Sequence, residues 1–339
     1  MSRRSKLRPP ARHLHALTPV TDQKAIVHEV FGTAAIGSNP TFGSSDVVQQ
    51  LYAILDEHGV KIIDSAQLYG NSEAILGDTQ AGDKFTIDTK WQGGFKPGNL
   101  KKQNVIATAR ESVERLRVKQ VDVFYIHKGD DEISIEETLD GVNEVYKAGL
   151  FKRFGLSNYL EKDVQRIYDT AIMNGFVLPT VYQGNYNPVA RAQETRLLPT
   201  LRKLNIVFYA YSPLAGGFLS KTVQQIKEGA GRFNDTDVGG LYKNLYSKPA
   251  LLNVLAKWEA AAIEEGVPRA ELAYRWVASN SSLSAENGDA IVVGASSIAQ
   301  LDQTLTSIRK GRLSDKAVEA IDSIWEEIKH EAPLDNFNS

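Results

Sequence analysis

The sequence contains no cysteine. Disulfides, thiolate metal sites and cysteine nucleophiles are thereby excluded, and a reducing, cytoplasmic setting is the expected one. Histidine is sparse as well. The six histidines are scattered, with no His-Glu-x-x-His and no paired carboxylate cluster, so no metal site is expected. No apolar run approaches the ~18 residues needed to span a bilayer, and no membrane association is expected. Charge of one sign is missing too: 39 basic residues face 41 acidic ones for a formal net charge of −2. Such a balance leaves no overall field to recruit nucleic acid. A Rossmann or P-loop glycine motif is also absent, because Gly32-Thr33-Ala34-Ala35-Ile36-Gly37 has the wrong spacing for either.

What is present is the balance of a globular protein, 42% hydrophobic and 24% charged over 339 residues. Residues 1–24 stand apart. Arg3, Arg4, Lys6, Arg8, Arg12 and Lys24 face a single acid, Asp22. A basic, acid-poor start can be a transit peptide, but Pro9-Pro10 and Pro19 spoil the amphipathic helix one needs, so a solvated, disordered tail is expected. The stretch has no apolar region of the kind a secretory signal carries.

Residues 25–339 read as one domain. Short β-rich runs at 27–31, 61–64, 85–89, 121–127, 151–156, 180–183, 206–211 and 290–293 alternate with helical patterns at 46–57, 103–116, 135–147, 162–173, 195–204 and 298–307. Several runs, such as Ile291-Val292-Val293, are continuously apolar and β-branched, as parallel strands buried on both faces must be. Val47, Leu51 and Leu55 mark one face of the first helix, and Val105, Ala109, Val113 and Leu116 one face of the second. Eight such strands with helices between them predict a (β/α)8 barrel, a doubly wound sheet being the alternative. Two stretches exceed what a plain barrel needs: 214–247, rich in glycine and charge, and 249–279, read as two helices broken at Gly266-Val267-Pro268. An extra helix is expected at 315–329.

The working face of such a barrel lies at the C-terminal ends of its strands. Asp64, Lys90 and His127 stand at three of those ends, and Tyr69 in the loop beyond the second strand. Taken singly, each has an ordinary structural reading as a cap, a solvated cation or a satisfied core residue. As a set they make chemical sense. A phenol with its free pKa of about 10 is a weak acid at neutral pH; an adjacent ammonium favours phenolate, a carboxylate holds the ammonium, and a histidine can orient a carbonyl oxygen.

Asp64-Ser65-Ala66-Gln67-Leu68-Tyr69-Gly70-Asn71-Ser72-Glu73, with Lys90 and His127, resembles the aldo-keto reductase signature. Together with Gly155-Leu156-Ser157-Asn158-Tyr159, Val181-Tyr182-Gln183-Gly184-Asn185-Tyr186-Asn187 and Pro213-Leu214-Ala215-Gly216-Gly217 it is similar to the aflatoxin-aldehyde reductase subgroup. The resemblance implies NADPH-dependent reduction of a small-molecule aldehyde or ketone, with Tyr69 as proton donor, Lys90 and Asp64 tuning it, and His127 positioning the substrate. It also implies a cofactor site. Ser157, Asn158 and Gln183 would hold the carboxamide and Tyr211 would stack on the nicotinamide. Gly32, Thr33, Ser212, Leu214 and Gly216 would line the path of the chain, Gly294, Ser296 and Gln300 would grip the adenosine phosphate, and Lys221 and Arg232 would meet a 2′-phosphate. Trp91 and Lys128 flank catalytic positions and are expected in the substrate pocket, Lys128 toward a negatively charged group. Gln303, Thr304 and Ala34 depart from the family's usual acid, asparagine and bulky residue, which bears on cofactor affinity and pocket size. Potassium-channel beta subunits share the barrel, tetrad and cofactor, so a cofactor-binding regulatory subunit is the alternative function. The sequence leaves the oligomeric state open, a homodimer being one assembly it allows.

Overall fold

A computed structural model describes residues 24–236 and 240–338. The expected tail therefore lies outside the described residues, apart from Lys24, whose ammonium donates a hydrogen bond to the Ser281 carbonyl. Eight parallel strands pair in sequence order and close on themselves: β1 (His28–Gly32), β2 (Ile62–Asp64), β3 (Thr86–Trp91), β4 (Val121–Ile126), β5 (Phe151–Ser157), β6 (Pro179–Asn185), β7 (Val207–Tyr211) and β8 (Ala290–Val293). The closing register sets His28 against Ala290 and Phe31 against Val293. This is the (β/α)8 barrel, and the doubly wound alternative is set aside.

Its helices are α1 (Ser45–Glu57), α2 (Ser72–Asp78), α3 (Lys102–Leu116), α4 (Ile135–Lys147), α5 (Glu161–Asn174), α6 (Leu198–Lys203), α7 (Val223–Lys227), α8 (Leu241–Tyr246), α9 (Pro249–Glu265), α10 (Arg269–Arg275), α11 (Ile298–Ile308) and α12 (Asp315–Ile328). Serine side chains cap α1, α4, α11 and α12 through Ser44, Ser134, Ser297 and Ser314. The break expected at 266–268 is a helix end. Gly266, at φ 72°, closes α9, and Pro268 precedes the first turn of α10.

Two sequence expectations shift. The helix read at 195–204 begins only at Leu198, since Pro199 lacks an N–H and fits an α-helix only in its first turn. Helix α2 has no counterpart in the sequence reading; seven residues are too few to show a period. The long stretch after β7 is more ordered than a loop. It holds a 3-10 segment Ala215–Ser220, then α7 with a Thr222/Gln225 capping box, then α8.

The main core fills the layer between sheet and helices, and a smaller one fills the lumen with Val30, Val123, Tyr125, Val181, Tyr209, Ala290 and Val292. Strand alternation decides which layer a side chain enters. Lys90 points inward, so Trp91 points outward. Its ring stacks on Phe124 with centroids 3.8 Å apart, and its indole N–H donates to the Val105 carbonyl of α3 at 3.0 Å. Trp91 is only 1% exposed. The expectation that it lines the substrate pocket is therefore corrected: it is a core residue on the far side of the sheet from the mouth. Trp91→Ala should cost about 3–5 kcal/mol of stability, the usual range for emptying a large aromatic site. Urea denaturation measures this, and a loss under about 1 kcal/mol would contradict the packing.

Candidate active site

At the C-terminal end of the barrel the strands bring four polar side chains together. Lys90 is fully buried and Asp64 nearly so. The Lys90 ammonium donates to Asp64 Oδ2 and, at 2.8 Å, to the Ser65 carbonyl. The second carboxylate oxygen accepts from Gln183 Nε2 at 3.1 Å. The ammonium lies 5.3 Å from the centre of the Tyr69 ring. The His127 imidazole meets that ring edge-on, centroids 5.8 Å apart.

Burial acts on each of these groups, and its outcome depends on the partner. It disfavours the Lys90 ammonium, but Asp64 and Tyr69 outweigh it, and the pKa rises above the ordinary lysine value. Burial also pushes the Asp64 carboxyl up; Lys90 and Gln183 pull against it, and with donors on both oxygens the group forms an ion pair. His127 is held well below its usual value, by burial first and by Lys90 second, so it is a neutral imidazole. Tyr69 needs a correction. Lys90 favours phenolate, as the sequence implied, but burial opposes it more strongly, Asp64 adds to the opposition, and the net direction is upward.

The loop carrying Tyr69 is fixed by residues that do no chemistry. A Cβ at Gly37 would fall 1.8 Å from the Tyr69 carbonyl oxygen, so only glycine lets the loop after β1 lie against it. Ser72 donates to the Thr33 hydroxyl at 2.7 Å, and Thr33 in turn donates to the Asp64 carbonyl at 3.0 Å. Buried Glu73 accepts from Thr89 at 2.6 Å and pairs with Arg115 at 2.7 Å, tying α2 to β3 and α3. Thr33 is thus enclosed, 0% exposed. The expectation that it contacts a cofactor is corrected, since its hydroxyl is spent on the Asp64 backbone.

A second group of expected residues lines the opposite side of the mouth. Asn158 Nδ2 donates to the His127 carbonyl at 2.9 Å and to Ser157 at 3.0 Å, while its Oδ1 accepts from the Tyr211 hydroxyl at 2.8 Å. Asn158 and Ser212 hold φ of 59° and 56°, the left-handed region that side chains other than glycine's rarely enter. Ser212 is kept there by the Tyr242 hydroxyl at 3.1 Å and by Asn187, which donates to its carbonyl at 3.1 Å. Gly216 lies beneath the Tyr242 ring, where a Cβ would come within 2.1 Å. Leu214 and Gly32 are half-buried beside this path.

The Arg232 guanidinium stacks over Tyr242 at 5.5 Å, and Lys221 lies over Phe233 at 5.9 Å. Lys221 is pushed below the ordinary lysine value, by burial first and by Arg232 second, so the two cations are neighbours. After β8, Gly294 and Ser296 are exposed, and Gln300 Oε1 accepts from both the amide and the hydroxyl of Ser296 at 2.7 and 2.8 Å. Of the two departures on α11, Gln303 is exposed, whereas Thr304 is buried and hydrogen-bonds the Tyr274 phenol.

The rim holds residues the sequence reading missed. Phe95 packs edge-on to His127 at 5.2 Å and to Phe337 at 4.9 Å, and Lys128 lies over both phenyl rings at 5.6 and 5.8 Å. The chain end crosses the mouth. Asp335 accepts from the amides of Phe337 and Asn338, and Asn338 donates to the Asn158 carbonyl at 3.3 Å. Beside this strap lies a cavity of about 450 Å³, bordered by Lys128, Asp130, Tyr159, Asp163, Arg166 and Phe337. Nothing in the spacing of Phe95 or Phe337 announces a rim role; only the closing of the barrel unites them.

The sequence pattern of the Aldo/keto reductase family matches residues 30–326. Oxidoreductase sirO of Leptosphaeria maculans is 39% identical over 314 residues, 90% of this chain and 95% of that protein. Aflatoxin B1 aldehyde reductase member 2 is 36% identical in Rattus norvegicus, over 90% of this chain and 86% of that one. The protein of that name in Homo sapiens is 34% identical over 96% and 94%.

The ion pair at the centre of the site makes a stability prediction independent of any reaction. Lys90→Met removes the charge and leaves Asp64 buried alone, which should cost about 3–5 kcal/mol. Adding Asp64→Leu should return much of that loss. Denaturant midpoints of Lys90→Met, Asp64→Leu and the double variant check both halves, and a double loss equal to the sum of the two single losses would mean the pair carries no coupling.

Proposed function

The chain belongs to the aldo/keto reductase family, and we propose that it is an NADPH-dependent carbonyl reductase in which Tyr69 gives the proton. The observation that carries this reading is the convergence of Tyr69, His127 and the buried Lys90–Asp64 pair at the end of the barrel.

The residues fit a nicotinamide dinucleotide. Ser157, Asn158 and Gln183 present amide and hydroxyl groups at one end of the mouth, Tyr211 offers a ring beside them, and two neighbouring cations stand at the far end. NADPH supplies a hydride to the carbonyl carbon when bound. The remaining work belongs to the side chains. His127, neutral and beside Tyr69, can donate one hydrogen bond to the carbonyl oxygen and so fix its position. Tyr69 passes its phenolic proton to that oxygen as negative charge develops there, and the alcohol forms. Lys90 stabilises the phenolate left behind, and solvent at the mouth restores the proton. A phenol whose pKa lies above its ordinary value stays protonated across the neutral range, which suits reduction.

Lys221 and Arg232 favour NADPH over NADH, because paired cations bind a 2′-phosphate through charge-assisted hydrogen bonds. The aromatic wall of Phe95 and Phe337 faces the reacting centre and favours carbonyl substrates with an apolar body.

Two measurements test the reading. Tyr69→Phe should keep the fold and NADPH binding while lowering single-turnover reduction of an aldehyde at least about a hundredfold, the scale of general acid catalysis; near wild-type rates would remove Tyr69 from the chemistry. Replacing Lys221 and Arg232 together with Ala should raise the dissociation constant for NADPH far more than for NADH. Equal weakening of the two cofactors, read by fluorescence titration, would show that these cations do not read the phosphate.

A further inference from the structure

Beneath the tetrad the lumen holds one more carboxyl group, which the reaction above does not use. Asp88 lies on β3 two residues before Lys90 and faces the same way. Its Cα is registered opposite that of Asp64 on β2. It is 0% exposed. Its Oδ1 accepts from the Val123 amide at 3.0 Å, and its Oδ2 has no hydrogen-bond partner among the described residues. The hydroxyl of Tyr125, on the β4 residue registered with Lys90, has none either.

The charges around Asp88 are all committed elsewhere. On β3, Lys90 gives its hydrogen bonds to Asp64 and to the Ser65 carbonyl. On β5, Arg153 grips Asp122 with two nitrogens, at 3.3 and 2.6 Å, and reaches the Tyr209 hydroxyl of β7 at 3.3 Å. The acids nearest Asp88 are Asp64 on β2 and Asp122 on β4, both like charges if Asp88 is ionised. The other strands show it only apolar groups, Val30 on β1, Val181 on β6, and Ala290 and Val292 on β8. An ionised Asp88 would therefore be a buried carboxylate beside two cations that are each already paired, Lys90 within the lumen and Arg153 in a pair that reaches solvent.

We propose that Asp88 is kept as a neutral carboxylic acid, and that its proton leaves the whole charge of Lys90 to Asp64 and Tyr69, making Asp88 a positioning residue for the proton donor. Burial and the two neighbouring carboxylates push its pKa well above the ordinary carboxylate value, in the direction this requires. Loss of the proton puts a second anion below Lys90. The ammonium then stabilises a developing phenolate less, and Tyr69 becomes a poorer acid. Only this second half rests on Tyr69 as the donor; the protonation state of Asp88 does not.

The two halves are read separately on the full-length protein. A folded-state pKa above the unfolded one means that the native chain binds the extra proton between those values. Stability then falls as pH rises across that window, and Asp88→Asn, which keeps an oxygen for the Val123 amide, removes the fall. The melting-temperature difference between Asp88→Asn and wild type should thus grow in the variant's favour from pH 5 to pH 8. Infrared spectra at pH 7 should show a protonated-carboxyl band in the wild type that is absent from the variant. Parallel melting curves, or no such band, overturn the proposal. Asp88→Val, which also discards the charge, serves the same comparison if the asparagine variant fails to fold. For the second half, the pH profile of single-turnover reduction should show a drop in the wild type at lower pH than the limb set by Tyr69, roughly tenfold, the weight of one pKa unit. That drop should vanish in Asp88→Asn. A profile shared by both proteins overturns the positioning role even if the proton is present. Absence of any carbonyl reduction in either protein counts against the proposed function alone, since the spectra and melting curves still decide the proton.

Discussion

The Lys90 ammonium is the interaction on which the rest of this structure depends. It sits fully buried at the centre of a closed barrel, where an unpaired cation would be costly. Only the Asp64 carboxylate makes it tolerable, and Asp64 is tolerable only with Lys90 and Gln183 on its two oxygens. That mutual dependence fixes three strands at once, because β2, β3 and β6 must present these residues at one height. It also fixes the chemistry. A cation buried out of contact with solvent acts strongly on its neighbours, and its neighbours here are the Tyr69 phenol and the His127 imidazole. The same enclosure works against the phenolate, so the ammonium and the burial oppose each other, and the balance leaves Tyr69 a protonated phenol.

The opposite side of the mouth shows a different economy. There the backbone itself is bent into left-handed turns at Asn158 and Ser212, each costing on the order of 1 kcal/mol or more. The surrounding hydrogen bonds hold them: Tyr211 on Asn158, Tyr242 and Asn187 on Ser212. Strain of this kind survives only where neighbours over-determine the conformation. At Asn158 and Ser212 it shapes the ends of β5 and β7, on the side of the mouth that also carries Lys221 and Arg232.

Much of the barrel was legible in the sequence, for a physical reason. Parallel strands covered on both faces must be apolar throughout, and Ile291-Val292-Val293 can be little else. Asp64, Lys90 and His127 were legible because each stands at a strand end, and Tyr69 because it lies in the loop that follows β2. Three things were not. Helix α2 is too short for a period. Trp91 was assigned to the pocket by adjacency to Lys90, although alternation along β3 sends successive side chains to opposite layers. The same rule, applied two residues back instead of one forward, places Asp88 in the lumen. Thr33 shows the converse limit: a hydroxyl in a glycine-rich turn suggests a ligand, and only the fold reveals that the Asp64 backbone already has it.

The buried centre of the candidate site and its rim are built differently. Asp64, Lys90 and Gln183 lie on strands, locked by sheet pairing and by one another, and a change in any of them disturbs the barrel. Phe95 and Lys128 come from the loops after β3 and β4, and Phe337 and Asn338 from the segment after α12, joined by ring packing, a cation over two rings and one hydrogen bond to the Asn158 carbonyl. Contacts of that kind are individually weak, around 0.5–1.5 kcal/mol each, and can be exchanged without cost to the core. The rim can therefore vary while the lumen cannot. Phe95 and Lys128 reach the rim from the loops after β3 and β4 and Phe337 and Asn338 from beyond α12, whereas Asp64, Lys90 and Gln183 are held inside by sheet pairing and by one another.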